Sequence, residues 1–310
     1  MQTDTLRVIV NPAASGGRGR KAARKLFAFL DDSSTDYEAR YTEAPGHATR
    51  LARAAALEGV GRIVVVGGDG TIHEVAGGLI ASRVDLPPPV AVFPVGTGND
   101  FYRMVGRRRG PAEVMDVLEA GVVERFDVGR VRWGGGERVF VNLLGVGVDV
   151  EVLRCRARFS RLPGLPQYLA AFLNAIVTFR PPEVRVEVGR GAGQHIMGAT
   201  TLTVVTVGPS IGGGFMICPD ARPSDGKLDL CCIAAPGLLP ILRLVPKVIR
   251  GKHGDSPLVT TGQLEEAVIR GPEGEPMWFE LDGELAPEPA SELRIRILPG
   301  AFPVLVPARA

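Results

Sequence analysis

The apolar residues of this chain fall into two regimes. Over about the first 120 residues, compact runs such as Leu6, Val8, Ile9, Val10 and Ile63, Val64, Val65, Val66 alternate with stretches in which apolar side chains recur every three or four positions. The runs suit buried strands, and the longer spacing suits the inward stripe of a helix. The pattern predicts strands over residues 6–10, 37–42, 62–66 and 90–94, and helices over 18–30, 47–57, 71–81 and 112–119. Such alternation predicts a doubly wound α/β domain around a parallel sheet. Beyond about Glu124 the apolar runs become short and are separated by Gly and Pro, at 139–144, 184–188, 201–207, 228–234, 278–281 and 293–298. These predict a second, mostly antiparallel, β-sandwich-like domain interrupted by helices over 165–179 and 238–250. The expected division is 1–128 and 129–310, with a last strand near 302–306 returning to the first domain.

Composition narrows the function classes. With 310 residues, 45% of them hydrophobic, the chain can fill two cores. Lys+Arg 36 against Asp+Glu 34 leaves a net charge of +2, which gives no reason to expect a nucleic-acid partner. Cys155, Cys218, Cys231 and Cys232 form no C-x-x-C pair, and the start Met1-Gln2-Thr3-Asp4 lacks the regions of a signal peptide, so a cytoplasmic location is expected. His47, His73, His195 and His253 make no zinc pattern with them. The longest apolar stretch, 165–179, carries Gln167 and Asn174 and is short for a bilayer, so no transmembrane helix is expected.

The chemistry gathers at expected strand ends. Val64-Val65-Val66-Gly67-Gly68-Asp69-Gly70-Thr71 puts a glycine turn between a buried strand and a helix, where backbone N–H groups and the helix dipole can seat a phosphate. Asp69 would repel phosphate alone, but it makes sense beside Mg²⁺ or a hydroxyl donor. Pro94-Val95-Gly96-Thr97-Gly98-Asn99-Asp100 and Asn11-Pro12-Ala13-Ala14-Ser15-Gly16-Gly17 repeat the same design. None matches the Walker string or the dinucleotide fingerprint.

Together and in this order, these three strings resemble the diacylglycerol kinase catalytic-domain family, which includes bacterial lipid kinases and the sphingosine and ceramide kinases. The similarity continues through Phe140 to Asp149, Gly212 to Asp229 and Leu281-Asp282-Gly283-Glu284. It implies an ATP-dependent lipid kinase that transfers the γ-phosphoryl group to a lipid hydroxyl, with diacylglycerol the leading acceptor and phosphatidic acid the product. A sphingoid or other lipid alcohol is the alternative. By this resemblance ATP contacts fall on Asn11, Pro12, Ala13, Ala14, Ser15, Thr42, Gly67, Gly68, Asp69, Gly70, Thr71, Ile72, His73 and Thr97. His73 stands where bacterial relatives commonly have Asn, and Gly98 where some have Ala.

For the catalytic base, the resemblance points to Glu284, with Asp69 as its competitor because dinucleotide kinases sharing Gly-Gly-Asp-Gly-Thr lean on that aspartate. It also places a structural Mg²⁺ on Asp225 with the carbonyls of Arg222 and Lys227; on the residues alone, Asp225-Gly226 reads equally as a tight turn. The domains are expected to hold ATP–Mg²⁺ and the lipid hydroxyl in a cleft. The partner implied is a lipid at the membrane surface, with peripheral contact at the inner face; a homodimer is left open. Leu238, Ile241, Leu242, Val245, Val248 and Ile249, with Arg243, Lys247 and Arg250 on another face, fit either an interfacial helix or ordinary core packing. Two rival readings are a nicotinamide-dinucleotide kinase and a nucleotide-binding protein without catalysis.

Overall fold

The computed structural model describes residues 5–96, 98–106, 110–162, 164–189 and 195–308; Thr97 and the Arg107, Arg108, Arg109 cluster lie outside the described residues. The chain divides into two units, one holding the residues up to Phe126 and from Gly300 onward, the other Asp127–Pro299.

The first unit contains β1 (Leu6–Val10), α1 (Ala14–Asp32), β2 (Tyr37–Tyr41), α2 (His47–Leu57), β3 (Arg62–Gly67), α3 (Asp69–Ser82), β4 (Val90–Pro94), α4 (Asp100–Val105), α5 (Pro111–Ala120) and the start of β5 (Val122–Trp133). Its strands lie in the order β2-β1-β3-β4, all parallel. Val10 sits opposite both Tyr41 and Val66, and Gly67 opposite Pro94, so the four strands end in step. Helices cover both faces, which is why the central strands are continuously apolar. Leu26 and Leu30 of α1 with Val114 and Val117 of α5 close over Val8, Val64 and Val66, while the alternate residues Ile9, Ile63 and Val65 are equally buried. Helices α2 and α3 approach closely because position 78 is glycine: a Cβ there would meet the Thr49 carbonyl oxygen at 2.2 Å.

The second unit continues β5 and adds β6 (Gly136–Phe140), β7 (Leu143–Gly147), α6 (Val148–Cys155), α7 (Gly164–Thr178), β8 (Glu183–Val188), β9 (His195–Thr206), β10 (Leu228–Ala234), α8 (Leu238–Ile249), β11 (Val259–Leu264), β12 (Glu266–Arg270), β13 (Glu280–Leu281), β14 (Glu284–Leu285) and β15 (Glu292–Val306). In one sheet β12 pairs antiparallel with β8 and β15; in the other β13, β7, β9, β10 and β11 are neighbours. Strand β9 serves both, pairing with β8 over its first residues and with β7 and β10 afterwards; the change falls beside Gly198, whose φ of +139° suits glycine. Between the sheets lies a core that includes Phe140, Leu144, Val186, Leu230, Phe279 and Ile295. The outer face of the β9–β10 sheet is covered by α6, α7 and α8. The 300–306 end of β15 belongs to the first unit and runs parallel to β4, with Val304 opposite Val90.

The expected class, an α/β domain followed by a β-sandwich-like domain, is the one observed. Two elements need correction: the strands expected at 293–298 and 302–306 are one continuous strand, β15, and residues 139–144 do not form a single strand. The N–H groups of Val141, Asn142 and Leu143 all turn to the carboxylate of Asp282, at 2.8 Å each, and this breaks the run into β6 and β7. Among the described residues no helix is long and apolar enough to cross a membrane.

Candidate active site

In a parallel sheet of order 2-1-3-4, the crevice opens where the chain turns off in opposite directions from β1 and β3. Here those two strand ends are tied together. The Asn11 N–H donates to the Val66 carbonyl at 2.9 Å, and its side chain donates from Nδ2 to Thr71 Oγ1 at 3.0 Å while Oδ1 accepts from the Ala13 N–H at 3.0 Å. After it, Ser15, Gly16 and Gly17 carry φ values of 52°, 70° and 92°, so a left-handed turn precedes the regular helix from residue 18. Two of the three are glycine, which adopts this conformation without steric cost. Gly19 then lets α1 lie against the loop, since a Cβ there would be 1.9 Å from the Asn11 oxygen.

The loop after β3 meets the loop after β4 backbone to backbone. A Cβ on Gly68 would lie 2.9 Å from the Gly96 Cα, and the reverse distance is also 2.9 Å. Val95 N–H donates to the Gly67 carbonyl at 2.8 Å. Buried Asn99, itself left-handed at φ 52°, closes its loop by accepting from Gly96 N–H at 2.7 Å and donating to the Gly96 carbonyl at 2.8 Å. Asp69 stands half-buried at the start of α3 and accepts from the Phe101 N–H at 3.1 Å, tying the two loops together. Thr42 closes the edge, its N–H donating to the Val10 carbonyl at 2.8 Å. Thus Asn11, Pro12, Ala13, Ala14, Ser15, Thr42, Gly67, Gly68, Asp69, Gly70 and Thr71 lie along one sheet edge. Ile72 and His73 are buried within α3, and Thr97 lies outside the described residues.

Glu284 belongs to the second unit. Asp282 and Gly283, with φ of 49° and 85°, form the two-residue turn of the β13–β14 hairpin, and Glu284 follows, exposed. Glu280 braces the turn by accepting from Gly283 N–H at 2.7 Å. Beneath it, Asp149 Oδ2 is enclosed and has no partner among the described residues; burial pushes this carboxyl up to about 7. Burial, and then the charge of Asp149, also raise Glu280 well above the usual carboxylate range. Gly145 makes room for both, since a Cβ there would be 1.7 Å from Asp149 Oδ2.

The loop before β10 is closed by its own hydrogen bonds. Exposed Asp225 accepts from the Lys227 N–H at 3.0 Å and from Gln263 Nε2 at 3.3 Å, while buried Asp127 accepts from the Gly226 N–H at 2.8 Å. Beside it Asp229 is buried, and its Oδ2 has no partner among the described residues. Burial, then the neighbouring charge of Asp225, push Asp229 up to about 6. The orphaned Asp229 oxygen beside the Asp225 carboxylate suits a hard cation, the kind of ion expected on Asp225 with the Arg222 and Lys227 carbonyls. Among the described residues no group of three His, Cys, Asp or Glu side chains could hold a metal, so backbone oxygens and water would complete the shell.

The model of the diacylglycerol kinase catalytic domain matches residues 5–131, and that of the YegS C-terminal NAD kinase beta sandwich-like domain matches residues 142–306. The chain belongs to the diacylglycerol kinase and YegS-like lipid kinase family. Lipid kinase function and ATP binding follow at the level of that family. A diacylglycerol kinase of Mycobacterium tuberculosis is 30% identical over 303 residues, covering 96% of this chain and 94% of that protein. One of Bacillus subtilis is 29% identical over 280 residues, covering 90% and 89%. A solved Bacillus anthracis structure shares the fold with a TM-score of 0.80 at 24% identity, covering 99% of this chain and 96% of that one.

Several residues that build the site of this lipid kinase gave no signal in the sequence. Glu74 holds the start of α2, accepting from Gly46 N–H at 2.7 Å and Ala48 N–H at 2.9 Å, and so fixes the loop that follows Thr42. Asp127 was equally silent, while Asp149 and Glu280 stood in or beside strings that carry the resemblance but had no role assigned. Their partners are backbone amides or other buried carboxyls, and no spacing rule marks those.

Proposed function

We propose that this chain is an ATP-dependent kinase whose acceptor is diacylglycerol. The observation that carries the reading is the edge of the first unit, where the Asn11, Gly67-Gly68-Asp69 and Gly96 loops are locked to one another around a left-handed Ser15-Gly16-Gly17 turn. Such an arrangement presents backbone N–H groups and a helix N-terminus to an anion. The diacylglycerol kinases of Bacillus subtilis and Mycobacterium tuberculosis among its relatives supply the acceptor class.

In this reading the Asn11 loop and Gly67 to Thr71 hold the ATP phosphates, and Asp69 keeps the two loops in register through Phe101. Glu284 takes the proton from the lipid hydroxyl as that oxygen attacks the γ-phosphorus and the bond from phosphorus to the ADP oxygen breaks, releasing ADP; its exposure at a braced turn supports this over Asp69, one of whose oxygens already accepts from Phe101. Mg²⁺ supplies charge neutralisation on the phosphates. Asp225 and the Arg222 and Lys227 carbonyls would hold a second Mg²⁺, in a structural role. Work takes place peripherally at the inner membrane face, where the substrate resides.

The test is label transfer from ATP to diacylglycerol by wild type and Glu284→Gln, with ATP affinity measured separately by titration. Loss of a general base lowers kcat by about 10²–10⁴ while ATP affinity holds. A variant keeping more than about a third of wild-type turnover moves the base to Asp69. No transfer by the wild type to diacylglycerol, with transfer to a sphingoid base or a nicotinamide dinucleotide, reassigns the acceptor.

A further inference from the structure

Helices α7 and α8 stand on the same face of the β9–β10 sheet. Ala171 and Ala175 of α7, and Ile241, Leu244 and Val248 of α8, pack there against Leu202, Val204, Cys231 and Ile233. With the inward sides so engaged, the outward sides of a surface helix should be polar. They are not. Leu173 and Val177, half a turn round α7 from Ala171 and Ala175, are 46% and 69% exposed; Leu238 and Leu239, at the start of α8, are 44% and 58% exposed. Helix α7 carries no charged residue in its fifteen positions.

The charge around these helices is one-sided. Between residues 152 and 182 stand Arg154, Arg156, Arg158, Arg161 and Arg180, with no Asp or Glu. Between 230 and 254 stand Arg243, Lys247, Arg250 and Lys252, again with no Asp or Glu. A chain with 36 cations and 34 anions overall thus has two segments of cations alone, and they flank the exposed apolar side chains; of these cations Arg154 is ion-paired with Glu151, just before the first segment. On α8 the helical spacing puts Arg243, Lys247 and Arg250 on the side of Leu239, where long stems can lie along apolar surface and hold their charges at its rim.

We infer that the outward faces of α7 and α8 form one docking surface for an anionic lipid bilayer, with Leu173, Val177, Leu238 and Leu239 entering the acyl boundary and the surrounding cations meeting the headgroups. A protein interface depletes charge at its centre and has a polar rim that need not be of one sign. A bilayer instead asks for apolar side chains ringed by positive charge. The first turns of α7 lie near the Glu284 turn: Arg156 donates to Tyr168 Oη of α7 at 2.5 Å, and its Nη1 lies 3.7 Å from the position a Cβ on Gly283 would take. The inference deepens the lipid-kinase reading by naming the surface that meets the membrane, and its binding test stands apart from that reading.

The experiment is co-sedimentation of the full chain with vesicles of phosphatidylcholine alone and of phosphatidylcholine mixed with phosphatidylglycerol. Wild type should bind the mixed vesicles, and Val177→Asp/Leu239→Asp should lower that binding at least about tenfold; Arg243→Gln/Lys247→Gln should lower it and remove the preference for phosphatidylglycerol. Both variants alter exposed positions and should phosphorylate a short-chain, dispersed diacylglycerol as wild type does. Unchanged vesicle binding in both variants overturns the inference, as does a dimer in light scattering that the Val177→Asp/Leu239→Asp variant dissolves, since a second copy would then cover this face. Vesicle binding without any phosphorylation of diacylglycerol leaves the surface standing and sinks the acceptor assignment instead.

Discussion

Asp282→Asn isolates what holds the Glu284 turn. Asp282 Oδ1 accepts from Asn142 and Leu143 and Oδ2 from Val141, all at 2.8 Å, and the side chain is buried. Asparagine keeps one oxygen for Asn142 and Leu143 but turns an NH₂ toward the Val141 N–H, donor against donor. Losing one charge-assisted bond and weakening the other two costs about 2–4 kcal/mol. The turn itself is not weakened, because Asn-Gly suits left-handed values at both central positions at least as well as Asp-Gly does. Both tryptophans, Trp133 and Trp278, belong to the second unit, so tryptophan fluorescence in urea follows that unit. With a urea slope of about 2 kcal/mol per molar, the fluorescence midpoint should fall by about 1–2 M. The assay pairs this with kcat for label transfer, which should fall along with the turn's order. A midpoint within about 0.3 M of wild type would show that the three backbone bonds are not what fixes the turn.

Asp149→Asn should change the pH dependence of stability. The folded carboxyl titrates near 7 and the unfolded one near its ordinary value of about 4, so the folded chain holds an extra proton between them. The associated stability is present below about 4 and lost as pH rises through about 7, so the variant's Tm advantage over wild type should grow from about pH 5 to pH 8; parallel Tm curves would refute the buried-carboxyl account. For the structural cation, Mg²⁺ should raise the Tm of wild type and not of Asp225→Ala, because a ligand of the native state stabilises by mass action. Equal responses would remove the cation from that loop.

The elements that were legible are those whose signal is local. Buried strands β1 and β3 announce themselves as apolar runs, and the loops at their ends announce themselves through glycines, because a left-handed turn at Gly16-Gly17 or a backbone-to-backbone approach at Gly68 and Gly96 excludes almost every other residue. What stayed hidden is a set of carboxylates that hold other segments of the chain. Glu74 reaches 28 and 26 residues back to Gly46 and Ala48, Asp127 reaches 99 forward to Gly226, and Asp282 reaches 139 to 141 back to Leu143, Asn142 and Val141. Every residue but proline offers a backbone N–H, so an acidic side chain aimed at one leaves no periodicity and no partner to search for.

The reading of residues 139–144 as one strand shows the consequence. Local preference there is for extended backbone throughout, and only a carboxylate from 140 positions downstream decides that three successive N–H groups leave the ladder. Asp-Gly-Glu, taken alone, reads as a turn, and it was the resemblance that made Glu284 the candidate base. The string could not show that the aspartate faces inward as an anchor, leaving Glu284 to face outward on the short strand that follows. The difference between two carboxylates two residues apart is therefore a product of tertiary structure: the buried one is engaged by backbone donors, and the other stands exposed.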